Sequence, residues 1–107
     1  MATPQKRPER FLAYSTAGSQ RDLARDAREQ PHWDEHAAFM DGLAEEGFVV
    51  LGGPIGEGDG ENTMLVIDAS DEASVRARLA DDPWPEEMLT IDSIRSWSIW
   101  LTGPAQP

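Results

Sequence analysis

Residues 31–54 read PHWDEHAAFMDGLAEEGFVVLGGP, and this stretch decides the fold. Within it Trp33, His36, Ala37, Met40, Leu43, Ala44 and Gly47 step by three and four, the spacing of one face of an α-helix. Asp34, Glu35, Asp41, Glu45 and Glu46 fall mostly on the other side. Pro31 suits the first helical turn, where a missing N–H costs nothing, and Gly47 suits the end. Phe48-Val49-Val50-Leu51 is a continuous apolar run, the pattern of a strand buried on both faces, and Gly52-Gly53-Pro54 closes it. The helix thus carries His36 on its core-facing stripe, where an imidazole must find a polar partner.

Working outward, Phe11-Leu12-Ala13-Tyr14 predicts a first strand, and Ser15 to Ser19 a break of small residues. Gln20 to Glu29 is charged, with little apolar beyond Leu23, Ala24 and Ala27, and predicts a short exposed helix or an ordered loop. Downstream, Gly56 to Asn62 is rich in turn residues and suits a hairpin, with Met64 to Asp68 as its second strand. Ser70 is placed to cap a second helix running to Ala80, with Asp71 and Glu72 in its first turn. Asp82-Pro83 breaks the chain. Leu89 to Leu101 predicts a long final strand, or two with a bend.

The order strand, helix, strand, strand, helix, strand is the split βαβ pattern of a ferredoxin-like α+β fold, with an antiparallel sheet and both helices on one face. The other face needs cover. In a chain this small a second copy supplies it, which predicts a two-fold homodimer. Residues 1–9, interrupted by Pro4 and Pro8, predict a flexible N-terminal arm, residues 10–102 the domain, and residues 103–107 a C-terminal tail.

The 107 residues suffice for one modest core. Twenty acidic residues against 9 Lys and Arg leave a net charge of −11. Such a surface repels phosphate backbones and anionic lipid, which argues against nucleic-acid and membrane partners and favours a small-molecule ligand. The absence of cysteine excludes disulfides, Cys-ligated zinc, iron–sulfur clusters and thiol nucleophiles. The polar opening residues include no signal-peptide core and no run approaches membrane-spanning length, so the expected location is the cytoplasm.

His36 admits two readings, a core histidine satisfied by a nearby oxygen or a general acid/base that exploits imidazole titration near neutrality. Asp82 before Pro83 reads as a capping residue, and its second oxygen is free to hold an imidazole. His32-Trp33-Asp34-Glu35-His36 matches the inverted zinc-peptidase signature, and two histidines four apart share a helix face. Such peptidases are much larger and need a further carboxylate ligand, so no metal is expected. Metal binding through His32 and His36 stays as an alternative. Trp33, Trp84, Trp97 and Trp100 read as core and dimer-interface residues, with Trp84 the best candidate for a pocket wall.

Four segments resemble the YCII family: Phe11 to Tyr14, His36 to Leu43, Gly47 to Pro54, and Leu79 to Trp84 with its Asp-Pro-aromatic sequence. Their order and spacing carry the resemblance over roughly residues 9–101. The chain departs from the family pattern at Ser96-Trp97, where a Pro-aromatic pair is common, and in Ser15 to Gln30, which is longer and more charged. The resemblance implies a dimer with a His–Asp pair lining a cleft, here His36 and Asp82. Tyr14, Gly53, Pro54 and Trp84 are the candidate substrate contacts. It also implies, for at least one member, a lyase that removes chloride from a chlorinated hydroxyquinone. The expected activity is elimination or isomerisation of a small organic molecule without a cofactor. The alternative class is a non-catalytic small-molecule-binding or assembly module.

Overall fold

A computed structural model describes residues 9–56 and 60–104. The expected arm up to residue 8, the hairpin tip at residues 57–59 and the last three residues of the tail lie outside the described residues. The chain forms β1 (Glu9–Ala17), α1 (Trp33–Glu45), β2 (Val49–Pro54), β3 (Asn62–Ile67), α2 (Glu72–Leu79) and β4 (Leu89–Ser98). The four strands make one sheet in the order β2-β3-β1-β4, with every neighbouring pair antiparallel. That is the arrangement of a ferredoxin-like fold, two split βαβ units interleaved so that β3 lies between β2 and β1.

Both helices pack on one sheet face. Ala13, Leu43, Phe48, Val49, Ile67, Val75 and Ile94 form the core between them. Ala13 pairs with Leu65 on one side and Ile94 on the other, which fixes the inward parity of β1, β3 and β4. Leu12 and Tyr14, with Val66, Met64 and Trp97 on the flanking strands, therefore face away from the helices. In β4 the apolar positions Ile91 and Ile94 are three apart, and a regular strand cannot turn both inward. The register shift opposite Tyr14 and Ser15 leaves Asp92 unpaired, and this bulge brings Ile91 back to the helix side. A second shift, between Val49 and Leu51, leaves Val50 as the extra residue of β2.

Several local expectations change. α1 begins at Trp33, not at Pro31, because His32 takes the N-cap position with φ 62° in the left-handed region. The helix ends as expected at Gly47, whose φ of +83° a side chain would resist. Asp71 rather than Ser70 caps α2, accepting a hydrogen bond of 2.7 Å from the Ser74 N–H. β2 is a sheet edge, so Val50 and Leu51 are exposed rather than buried on two faces. β1 continues through Ser15-Thr16-Ala17, and β4 stops at Ser98, leaving Trp100 and Leu101 beyond it. No helix among the described residues is long and apolar enough to cross a membrane.

The Asp71 cap generates a pH-dependent prediction. The Ser74 N–H holds the Asp71 carboxyl below its ordinary value of 3.8 in the folded chain. A carboxyl lowered on folding stabilises the native state above its unfolded value, and that contribution disappears as pH falls through the folded value. Asp71→Ala should lower the melting temperature at pH 7. The gap between variant and parent should close as thermal melts are repeated below about pH 4.

Candidate functional site

His36 lies one turn into α1, its backbone N–H bonded to the His32 carbonyl at 3.1 Å. Its ring points between the helix and the turn that joins α2 to β4, and the residue is 7% exposed. Both carboxylate oxygens of Asp82 lie 2.8 Å from His36 Nδ1. An ionised carboxylate only accepts, so Nδ1 carries the proton and donates it to Asp82. Nε2 makes no hydrogen bond among the described residues, yet it is not one of the sealed buried atoms. It keeps its lone pair, and His36 lines a cavity of about 1160 Å³.

The same carboxylate organises the turn. Asp82 Oδ1 also accepts the Trp84 backbone N–H at 2.8 Å. No helix follows Pro83; the local side-chain bond shapes a turn instead. It brings the Trp84 indole flat against the imidazole, with ring centroids 4.1 Å apart and planes within 9°. The indole N–H donates to the Pro31 carbonyl at 2.8 Å, tying this turn to the entrance of α1. Trp33 meets both rings at a tilt, 5.6 Å from His36 and 5.7 Å from Trp84.

The residues between β1 and α1 form an ordered cap beside the site. Gly18 and Gln20 donate backbone N–H bonds to the Met88 and Glu87 carbonyls. Gly18 is required there, since a Cβ would sit 2.3 Å from the Glu87 carbonyl group. Buried Arg21 donates from Nε to the Met88 carbonyl and from Nη1 to the Gly60 carbonyl, and its guanidinium lies 4.7 Å from the centre of the Trp84 ring. Buried Gln30 bonds the Asp22 and Arg25 carbonyls and the Asp22 N–H, closing the loop on itself. A 3-10 turn at Ala27–Glu29 carries an Asp26–Glu29 capping box. Ala27 then packs with Trp84 and Met88 in a small second core.

The sequence-derived candidates do not all converge. His36, Asp82, Gly53, Pro54 and Trp84 line one cavity. Tyr14 does not. It projects from the opposite sheet face, where its hydroxyl bonds Asn62 Oδ1 at 3.1 Å. A four-residue apolar run has no alternation to tell its two faces apart, which is why its parity could not be read. His32 is exposed, and its Nδ1 is engaged by Glu35 at 2.8 Å. The two histidines of the zinc-type signature thus serve different carboxylates. No group of three or more His, Cys, Asp or Glu placed to hold a metal occurs among the described residues. Arg21 and Ser15 also line the cavity, and their sequence context carries no signal of it; a serine before a small-residue run resembles a turn, and an arginine in a charged stretch resembles surface.

These features define a small α+β domain with an open cleft whose lining residues include the carboxylate-bound histidine. The chain belongs to the YCII-related domain family, whose sequence model matches residues 10–98. No curated protein matches it. Among solved structures it is similar to 5-chloro-2-hydroxyhydroquinone dehydrochlorinase (TftG) from Burkholderia phenoliruptrix AC1100, solved in complex with 2,5-dihydroxybenzoquinone. The TM-score is 0.54 over 87% of this chain and 95% of that one, at 18% identity, which is a likeness of fold.

The Trp84 indole can be tested apart from its stacking. Trp84→Phe keeps an aromatic face for His36 but removes the donor to the Pro31 carbonyl. It should destabilise the protein by about 1–3 kcal/mol in urea titration, the cost of a buried acceptor left unmet plus the lost ring volume.

Proposed function

We propose that this protein is an acid/base enzyme acting on a small organic molecule, with His36 as the catalytic base and acid and Asp82 as its orienting partner. One observation carries the reading: Nδ1 is committed to Asp82 while Nε2 is left free in the wall of a cavity. A carboxylate on one ring nitrogen fixes the tautomer, raises the basicity of the other nitrogen and stabilises the imidazolium that forms. Nε2 takes a proton from the substrate, and the electron pair left behind forms a new π bond. In an elimination that π bond expels a leaving group from the adjacent atom. In an isomerisation the imidazolium returns the proton elsewhere. Neither outcome changes the oxidation state of an external carrier, so no redox cofactor is needed. The dehydrochlorination named for the similar solved structure is a reaction of the first kind.

The position of His36 supports this reading over a purely structural one. A core histidine would have both nitrogens satisfied by protein groups or be closed off from any cavity. Gly53, Pro54 and Trp84 supply pocket wall, and the cavity is large enough for a compact ring. The working unit in this reading is a two-fold dimer. The helix-free sheet face presents Leu12, Met64 and Trp97, with Trp97 45% exposed in the single chain. A second copy of that face is its natural cover.

The first experiment is a thermal-shift screen of small halogenated and hydroxylated rings, beginning with 2,5-dihydroxybenzoquinone, because a ligand of the native state raises its melting temperature. For any compound then turned over, His36→Asn should keep the fold and lower the rate by about 10²-fold or more. Unchanged turnover in a folded His36→Asn protein would sink the proposal. Light scattering at tens of micromolar, a working order of magnitude for a stable interface, should return twice the 11.8 kDa chain mass. Trp97→Lys should shift that mass toward the monomer.

A further inference from the structure

Ser15 is 3% exposed and sits on the helix-facing side of β1, between Ala13 and Ala17. It pairs with Thr63 on β3 and, across the β4 bulge, with Ile91. All three line the cavity together with Leu65 and Leu89. The Ser15 hydroxyl makes no hydrogen bond among the described residues, and it is not among the sealed buried atoms. What exposure it keeps therefore reaches its oxygen. Buried polar groups are hydrogen-bonded as a rule, and one that is not calls for an explanation.

Packing does not supply one. Alanine occupies the neighbouring inward positions of this strand, and an alanine at 15 would fill the space without desolvating a hydroxyl. The Thr63 side chain beside it makes no hydrogen bond among the described residues either. Two hydroxyls thus stand side by side on the cavity floor, bordered by leucine and isoleucine. The bulge at Asp92 sets this border, because it turns Ile91 rather than Asp92 toward Ser15. Such bulges are over-represented both at sheet edges and beside active sites, and this one lies on an edge strand next to the cavity.

We infer that Ser15 is a substrate-binding residue whose hydroxyl, with Thr63 beside it, hydrogen-bonds an oxygen of a compact and otherwise apolar molecule. The inference rests on the acid/base reading of the same cavity and narrows it: the substrate carries a hydroxyl or carbonyl group, and Ser15 anchors that oxygen while His36 Nε2 handles the proton. The surrounding Leu65, Leu89 and Ile91 accept the hydrocarbon part. A polar site of this kind discriminates by hydrogen bonding, because a ligand without the oxygen leaves the hydroxyls unpaired.

The test compares phenol with toluene, matched in size and differing in one oxygen, by NMR titration of the protein and of Ser15→Ala. Phenol should shift the His36 ring resonances and the backbone amides of β1 and β4 around Ser15 and Ile91. Ser15→Ala should weaken phenol binding by about 2- to 10-fold, the range for one neutral hydrogen bond, and leave toluene binding unchanged. The melting temperature of Ser15→Ala should equal or exceed that of the parent. Phenol binding equally to both proteins while still shifting His36 overturns the role of Ser15 and leaves the acid/base reading standing. Phenol that shifts neither region overturns both. A fall in melting temperature of about 4 °C or more in Ser15→Ala, the scale of a lost structural hydrogen bond, assigns the hydroxyl to the fold and overturns the inference as well.

Discussion

The Asp82 carboxylate is the constraint on which the rest of the site depends. It takes the His36 Nδ1–H with both oxygens and the Trp84 backbone N–H with one of them. Those bonds join two elements far apart in sequence, the first turn of α1 and the turn after α2. Trp84 is then held at both ends, by its backbone to Asp82 and by its indole to the Pro31 carbonyl. The imidazole plane is set by the indole stacked on it. Removing the carboxylate would leave an imidazole donor and a backbone donor unpaired in a half-dry pocket, and each such loss costs about 1–3 kcal/mol. The carboxylate is therefore a folding element in its own right.

The part of this arrangement that could be read from the sequence follows from periodicity and chain order. The three-and-four spacing from Trp33 to Leu43 put His36 on the inward face, and Leu43 on the same stripe is 2% exposed. The Asp-Pro-Trp sequence marked a sharp turn with a carboxylate able to bond backwards and sideways at once. Strand order gave the split βαβ unit, and the sheet order β2-β3-β1-β4 agrees with it. What could not be read depends on parity and on long-range contact. Tyr14 and Ser15 are adjacent, so they face opposite sides of the sheet, and the choice between them is made by Leu65 and Ile94 pairing with Ala13. Periodicity cannot see a bulge, and it is the bulge at Asp92 that places Ile91 beside Ser15.

The segment between β1 and α1 shows how a charged stretch becomes ordered without an apolar face. Its backbone groups are met by Gln30, by the Asp26–Glu29 capping box and by the Glu87 and Met88 carbonyls. Arg21 is buried with two of its donors on backbone carbonyls and its guanidinium over an indole, a setting in which a guanidinium keeps its charge and still packs. A composition reading treats such a segment as solvated surface. Local side-chain-to-backbone bonding makes it a wall of the pocket instead.

Both register shifts of the sheet fall in its outermost strands, at Val50 in β2 and at Asp92 in β4. A free strand edge is a template on which another chain can add a strand, and irregularity along it spoils the template. β2 carries a further block, since Pro54 has no N–H to offer a newcomer. Lateral growth of this sheet into a continuous intermolecular ribbon is thereby obstructed on both flanks. Any self-association is steered away from the open-ended kind that leads to fibres.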